Sequence, residues 1–175
     1  YPTDSGYAIG CGLGEKKAME KIIQIRALGK DHNFTLVCKD LSEIATFARV
    51  DNSAFRTIRA LTPGAFTFIF KGTKEVPKRV LNDKKKTIGI RVPDNNIAQA
   101  LLEELGEPLM SSSLLLPGDE FTESDPDDIR MKLEKQVDLI IHGGYLGEKP
   151  TTVVDFSEGE AELLRVGEGD PSLFN

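Results

Sequence analysis

The sequence predicts an α/β fold: a single domain with a twisted, mixed and partly parallel β-sheet flanked by helices. Short apolar runs typical of strands alternate with longer stretches in which apolar residues recur at every third or fourth position, as in helices. No internal repeat or low-complexity linker interrupts this alternation. The 175 residues are enough for one domain that buries about two-thirds of its unfolded surface. Residues 1–175 are therefore predicted to form one domain with helices packed on a sheet.

Five helices are predicted from this periodicity and from residues that suit helix ends. The first follows Gly14 and closes near Leu28. Acidic side chains able to cap backbone N–H groups begin the other four, at Asp40, Asp51, Asp94 and Asp125. Pro126 suits the first position of the last helix.

Strands are predicted where β-branched and aromatic residues form short runs. These runs are residues 34–38, 66–70, 87–92, 109–113, 137–141, 151–155 and 163–166. The pattern predicts which segments are strands but not their order in the sheet.

The net charge of −6 conceals a strong asymmetry between the two halves of the chain. Residues 1–92 contain 17 Lys and Arg against 9 Asp and Glu, a net charge of +8, whereas residues 93–175 contain 5 against 19, a net charge of −14. A basic cluster in the first half includes Arg79, Lys84, Lys85 and Lys86. It suits phosphate groups of RNA or of a nucleotide, although solvated surface lysines are the plainer interpretation.

We expect a cytoplasmic protein that does not interact with membranes. No apolar run approaches the roughly 18 residues that a membrane span needs. The two cysteines, Cys11 and Cys38, form neither a disulfide framework nor a metal motif, which suits free thiols in a reducing compartment. Because the chain opens at Tyr1 inside a motif, we also expect that a helix and a strand precede it in the natural protein.

Several common sites are excluded by missing residues. Gly10-Cys11-Gly12 precedes a helix, but Glu15 replaces the third glycine of a dinucleotide fingerprint. There is no phosphate loop and no nucleophile elbow, and the only histidines, His32 and His142, lack zinc-ligand spacing. No metal site is predicted.

The opening motif Tyr1-Pro2-Thr3-Asp4-Ser5-Gly6-Tyr7 places hydroxyls and a carboxylate between a proline and a glycine. This motif resembles the opening signature of the YrdC-like family, the threonylcarbamoyl-AMP synthases and their YciO relatives. Further matching motifs follow in order, at residues 63–67, 88–93, 108–113, 143–144, 151–155 and 165–167. The sequence of residues 142–147, His-Gly-Gly-Tyr-Leu-Gly, most resembles that of the YciO branch. The resemblance covers nearly the whole chain and implies the YrdC-like α/β fold, which is of the double-stranded-RNA-binding type.

The resemblance implies that L-threonine, bicarbonate and ATP, with Mg²⁺, give threonylcarbamoyl-AMP and pyrophosphate for tRNA modification. ATP would be a substrate, and no tightly bound cofactor is expected. The substrate contacts implied are Thr3, Ser5, His32, Arg91, Ser111 and Thr151. The nucleotide contacts implied are Arg26, Lys30, Thr67, Thr87, Ser113, Thr152 and Arg165. Arg26 and Arg91 are the expected catalytic residues, Arg91 because guanidinium binds carboxylate with two hydrogen bonds. Each has a plainer interpretation: His32 as a solvated loop residue, the threonines as strand formers and the arginines as surface residues.

Two departures from the synthase pattern put full activity in doubt. Gln24-Ile25-Arg26 stands where the synthases have Lys-x-Arg, and Ser113-Leu114-Leu115 stands where they have Ser-x-Asn. Each lost charge-assisted contact costs roughly 1.5–3 kcal/mol. The alternative hypothesis is therefore a module that binds double-stranded RNA or tRNA through Arg79, Lys84, Lys85 and Lys86 without synthase activity.

Overall fold

The computed structural model describes residues 1–175 as one eight-stranded sheet with five α-helices. The strands are β1 (Pro2–Thr3), β2 (Gly6–Gly12), β3 (Thr35–Val37), β4 (Phe66–Lys71), β5 (Thr87–Arg91), β6 (Leu109–Ser113), β7 (Thr152–Asp155) and β8 (Glu162–Arg165). The helices are α1 (Lys16–Arg26), α2 (Leu41–Phe47), α3 (Asn52–Leu61), α4 (Asn96–Leu105) and α5 (Pro126–Leu133). None of these helices has both the length and the apolar character that crossing a bilayer requires.

The strands lie in the order β1-β2-β6-β3-β5-β4-β7-β8. Two pairs, β3 with β5 and β4 with β7, are parallel, and the remaining pairs are antiparallel. The predicted mixed, partly parallel sheet is therefore confirmed. Its strand order depends on long crossovers, which local sequence patterns do not encode.

Three of the four predicted acidic caps are confirmed. The side chains of Asp40, Asp51 and Asp125 each accept a backbone N–H in the first turn, at 3.0, 2.7 and 2.9 Å. The cap predicted at Asp94 is wrong. Asn95 is the N-cap residue of α4, because its side chain accepts the backbone N–H groups of Ile97 and Ala98, both at 3.0 Å. The Asp94 N–H donates to the Asp4 carboxylate, 2.7 Å away.

The strand predicted at residues 137–141 is also wrong, because this segment follows α5 without pairing to any strand. Its apolar side chains instead line an apolar groove beside α5, and Val137 and Ile140 pack against the main core. A short apolar run does not distinguish a strand from an irregular segment that covers the core. The pattern also missed most of β2, whose glycines lower its strand propensity.

The two faces of the sheet differ sharply in chemistry. One face carries the apolar core, as in the row of paired residues Met110, Leu36, Ile90, Phe68 and Val154, all of them 0–1% exposed. Because side chains alternate along a strand, the neighbouring rows point to the opposite face. One such row is Ser111, Thr35, Gly89 and Ile69, and the other is Val37, Arg91, Thr67 and Val153. This second face, with its hydroxyls, its glycine and its arginine, positions the candidate site.

Candidate functional site

A polar cavity of about 550 Å³ lies on the second face of the sheet, a volume typical of small-molecule sites. Side chains of β3, β4, β5 and β7 form its floor, namely Thr35, Thr67, Ile69, Gly89 and Val153. Loops between strands and helices form its walls. Most lining residues are polar or charged, so the cavity suits a ligand with many hydrogen-bonding groups.

Gly89 keeps the floor of this cavity open. A Cβ atom at this position would lie 2.9 Å from the Thr35 hydroxyl oxygen and 3.1 Å from a methyl carbon of Thr67. A larger residue would therefore fill the space between the two threonines and push a ligand off the floor.

Arg26 defines one side of the cavity. It is the last residue of α1, which ends where Ala27 adopts a left-handed conformation with φ of 52°. The Arg26 Nε–H donates to the carbonyl oxygen of Leu115 at 2.9 Å, and a terminal N–H donates to Ser112 Oγ. These neutral acceptors hold the guanidinium in place without cancelling its charge.

His32 lies beside this arginine, with its Nε2 3.1 Å from Ser112 Oγ. Burial, assisted by the positive charge of Arg26, lowers the pKa of His32 to about 4. The imidazole is therefore neutral at pH 7. Because Ser112 Oγ accepts from Arg26, its own hydrogen is free to be donated to His32 Nε2.

Arg165 defines the other side, next to two threonines. The Oγ1 atoms of Thr67 and Thr151 are 2.7 Å apart. Arg165 donates through Nε to the carbonyl oxygen of Thr151 at 2.9 Å and through a terminal nitrogen to Thr151 Oγ1 at 3.1 Å. Burial and then the neighbouring Arg91 lower the pKa of Arg165. No carboxylate forms an ion pair with this arginine.

The loop from β1 to β2 packs on the same face but satisfies its own polar groups. Thr3 Oγ1 donates to the carbonyl oxygen of Gly6 at 2.6 Å and accepts the backbone N–H of Ser5 at 3.0 Å. Arg91 forms a buried ion pair with Asp4, while its Nε–H is buried without a partner.

Six of the residues expected at the site line the cavity together. They are Arg26, His32, Thr67, Ser113, Thr151 and Arg165. The other seven do not line it: Thr3, Ser5, Lys30, Thr87, Arg91, Ser111 and Thr152.

The reasons differ from one residue to the next. Ser111 Oγ contacts the Tyr1 hydroxyl at 2.5 Å. Thr152 points to the opposite face and donates to the Gly169 carbonyl at 2.6 Å. Thr87 is buried in β5, and Lys30 is exposed in the loop after α1.

Sequence reasoning missed several lining residues, among them Asn33, Thr35, Ser112, Phe121 and Thr122. Alternation along β3 and the neighbouring loop would have indicated Asn33 and Thr35. No local signal marks Phe121, because it lies on a loop.

The basic cluster borders the cavity from one side. Lys84, Lys85 and Lys86 are exposed, and Asn82 accepts the backbone N–H groups of Lys84 and Lys85 at 3.1 and 3.0 Å. The Asn82 side-chain amide donates to Asn33 at the cavity edge at 2.9 Å. Arg79 is turned aside, since its guanidinium donates to the Leu13 carbonyl.

These features define an α/β protein with a polar cavity on one face of a mixed sheet. A family model for Sua5, YciO and YrdC proteins, described as "telomere recombination", matches residues 1–167. The chain therefore belongs to the Sua5/YciO/YrdC family. The Escherichia coli (strain K12) protein YciO is 63% identical over 174 residues, which are 99% of this chain and 84% of that protein.

Two solved structures and a synthase sequence are also similar to this chain. The crystal structure of E. coli YciO has a TM-score of 0.96 over 100% of this chain and 85% of that one. A threonylcarbamoyl-AMP synthase of Coxiella burnetii is 28% identical over 95% of this chain and 88% of that protein. P. abyssi Sua5 complexed with L-threonine has a TM-score of 0.86 at 22% identity, covering 95% of this chain and 49% of that one.

Proposed function

We propose that this protein binds ATP and L-threonine and forms L-threonylcarbamoyl-AMP from them with bicarbonate. The observation that carries the proposal is a polar cavity with two arginines, Arg26 and Arg165, both held by neutral acceptors. Such guanidinium groups keep their charge for a phosphate ligand. The family's synthase relative in C. burnetii supports the reaction class.

The hydroxyls of Thr67, Ser113 and Thr151 would hold the ribose and α-phosphate of the nucleotide. All three lie on the cavity wall or floor, within reach of a ligand seated there. The volume of about 550 Å³ falls within the usual range for ligands of this size.

The amino acid would bind toward Arg91, next to the cavity. Arg91 follows Ile90 and Thr67 precedes Phe68, the residue paired with Ile90, so both side chains point to the same face of the sheet. A guanidinium forms strong, charge-assisted hydrogen bonds with a carboxylate, so a threonine carboxylate at this position would be stabilised. Asp4 contacts the terminal nitrogen Nη2 and the Nε–H is buried without a partner, which leaves the other terminal nitrogen, Nη1, as the contact for a ligand.

The reaction needs no side-chain nucleophile. The threonine amine and bicarbonate first form a carbamate with loss of water. A carbamate oxygen then attacks the α-phosphorus, the bond from that phosphorus to the bridging oxygen breaks, and pyrophosphate leaves. Arg26 and Arg165 would stabilise the charge that develops on the phosphates, and alignment of the reacting atoms would supply most of the rate.

Mg²⁺ would enter with ATP. No three His, Cys, Asp or Glu side chains are grouped to hold a metal ion. Mg²⁺ in nucleotide sites is usually bound by substrate phosphates, waters and one or two carboxylates, so the residues present are compatible with it. Asp31, Glu120 and Glu148 line the cavity and are the carboxylates available for this role. The bound ion would neutralise negative charge on the phosphates.

The two departures from the synthase pattern suggest that binding is better retained than turnover. Leu115 lines the cavity, and its carbonyl holds Arg26, so an apolar side chain occupies a wall next to the phosphates' expected position. Gln24 is exposed on α1 and outside the cavity lining. Introducing the lysine and the asparagine of the synthases at positions 24 and 115 tests whether these positions limit catalysis.

The decisive experiment combines binding with turnover. Calorimetry should detect the binding of ATP·Mg²⁺ and of L-threonine. When bicarbonate is present, mass spectrometry should detect threonylcarbamoyl-AMP together with an equal amount of pyrophosphate. The double variant Gln24→Lys with Leu115→Asn should raise product formation above the parent protein. Absence of both binding and product in the parent would overturn the proposal.

A second candidate function is supported by the basic cluster. The exposed lysines at 84–86 are tied through Asn82 to the cavity edge, so they are able to contact the phosphates of double-stranded RNA or tRNA. Affinity for a tRNA should fall steeply with salt, and replacing all three lysines by Gln should flatten that dependence. A salt-independent or undetectable affinity would exclude this function.

The cytoplasm is the compartment proposed for either function. Cys11 and Cys38 are free thiols, as expected under reducing conditions.

A further inference from the structure

Phe121 is an unusual member of the cavity wall. Its side chain is 59% exposed, and among the exposed large apolar residues of the chain it alone lines the polar cavity. Its ring pairs with no other aromatic ring, although five such pairs occur elsewhere. An exposed ring in a polar cavity has apolar surface available to a ligand.

The same residue also lines a neighbouring cavity of about 490 Å³, formed with residues 146–150. Phe121 therefore stands between two open spaces, with Glu148 and Pro150 shared by both. The other apolar residues of the polar cavity, Ile69, Leu115 and Val153, are aliphatic and offer no flat surface.

The backbone that follows Phe121 is anchored by hydrogen bonds, which keeps this residue beside the cavity. Thr122 is 8% exposed, and its hydroxyl donates to the Glu148 carbonyl at 3.3 Å. The Glu123 N–H donates to the Leu114 carbonyl at 2.9 Å, and the Tyr7 N–H donates to the Glu123 carbonyl at 3.3 Å. The loop is thus tied to both walls of the cavity and to β2.

We propose that Phe121 is the base-stacking residue of the site, against which the adenine ring of the nucleotide lies. This inference rests on the proposed function, since it assigns the base of the ligand that Arg26 and Arg165 would bind through its phosphates. Stacking of a base on an aromatic ring needs a flat apolar face in reach of the phosphate-binding groups. The other ring in the lining, His32, is held by Ser112 and packs edge-on against Phe34 at 5.0 Å, so Phe121 is the exposed ring available for stacking.

The absence of tryptophan from the sequence permits a direct test. A Phe121→Trp variant contains a single indole, whose fluorescence should change when AMP or ATP binds. Ribose 5-phosphate and tripolyphosphate lack the base and should leave it unchanged. Tyr145→Trp is the matched control, because Tyr145 is an aromatic residue 79% exposed that lines neither cavity, and its fluorescence should not respond.

Affinity measurements give the second readout. Phe121→Ala should weaken ATP binding about 5- to 150-fold while leaving tripolyphosphate binding unchanged. Phe121→Tyr should retain the parent affinity, and Tyr145→Ala should do the same. Circular dichroism and a thermal midpoint equal to the parent's confirm that each variant is folded.

The outcomes separate this inference from the function on which it rests. If the parent binds ATP and Phe121→Ala binds it equally well, stacking is overturned while the nucleotide site stands. An equal fluorescence change with tripolyphosphate also overturns stacking, since the ring would then report on phosphate alone. If the parent binds no ATP at all, both proposals fall.

Discussion

The cavity and the β1–β2 loop use arginine in opposite ways. In the cavity, Arg26 and Arg165 are each held by a backbone carbonyl and a side-chain hydroxyl, which leave the guanidinium charge uncompensated. Under the loop, Arg91 is buried against the Asp4 carboxylate, with side-chain exposures of 7% and 12%. The difference separates charge retained for a ligand from charge neutralised within the fold.

This contrast has a physical basis in desolvation. A buried charge is tolerated only when it is paired, whereas a charge facing a solvent-filled cavity keeps part of its hydration. Arg91 therefore contributes mainly to the stability of the loop, with only the terminal nitrogen Nη1 left for a substrate. Arg26 and Arg165 are predicted to matter more for binding than for folding.

The largest effect should come from breaking the buried pair. Asp4→Ala leaves the Arg91 charge buried without a partner and should reduce the free energy of unfolding by about 3–5 kcal/mol. Urea denaturation measures this loss. A matched change at the exposed pair, Glu134→Ala opposite Arg130, should cost less than about 1 kcal/mol. Equal effects in the two variants would contradict the structural role of Arg91.

The next largest effect concerns binding by Arg26. Arg26→Gln should weaken ATP affinity by about 1.5–3 kcal/mol, or about 10- to 150-fold, because a charge-assisted contact to phosphate is lost. Calorimetry measures the affinity, and Arg130→Gln on the exposed face of α5 is the control. The free energy of unfolding should change far less in Arg26→Gln than in Asp4→Ala. A folding defect without a loss of affinity would reverse the proposed division of roles.

A smaller effect is expected at Arg165, which is more exposed than Arg26. Arg165→Gln should weaken ATP binding by about 1–1.5 kcal/mol, roughly tenfold, since water screens its contact with phosphate. Arg165→Lys should not restore the affinity, because lysine cannot donate to the two oxygens of Thr151 in the same geometry. Full recovery with lysine would show that charge alone suffices.

Thr67→Val should have a weaker, indirect effect. The substitution removes the hydroxyl that contacts Thr151 Oγ1 at 2.7 Å and so loosens the group that holds Arg165. We expect a loss of about 0.5–1.5 kcal/mol in ATP affinity. In a double-mutant cycle, Thr67→Val should reduce ATP affinity less when Arg165 is already replaced by Gln, because the two residues act through one network. An equal loss in both backgrounds would contradict this.

A pH dependence of stability is expected from His32. Its folded-state pKa of about 4 lies below the ordinary 6.5, so between these values the unfolded chain binds more protons than the folded protein. This contribution to stability is complete above pH 6.5 and is lost as the pH falls toward 4. The free energy of unfolding of His32→Gln, measured with urea, should therefore decrease less between pH 6.5 and pH 4 than that of the parent protein. Parallel declines would show that His32 is not buried beside Arg26.

Much of the local structure was predictable because it depends on residues close in sequence. The caps at Asp40, Asp51 and Asp125 were correct, since a side chain and the N–H groups it accepts lie within three residues. The cap predicted at Asp94 was wrong by one residue, because the neighbouring Asn95 is also a good N-cap and its side chain accepts the N–H groups of Ile97 and Ala98. Apolar character at residues 137–141 predicted burial but not strand pairing.

The site was predictable only in part. Family motifs pointed to Arg26, Thr67, Ser113, Thr151 and Arg165, which the sheet brings to one cavity. They could not show that Thr152 faces the core or that Ser111 is engaged by Tyr1, because facing depends on strand register. Phe121 carried no signal at all, since its location depends on how its loop is tied to neighbouring segments.

The sequence by itself determined the α/β class, most helix starts, and a set of hydroxyls and arginines matching one family. Only the tertiary structure decided which arginine is neutralised and which two face open space. Strand order and register bring together groups separated by as many as 139 positions, from Arg26 to Arg165, and charge pairing follows from those distances. Local propensity acts over a few residues, so it has no information about such neighbours.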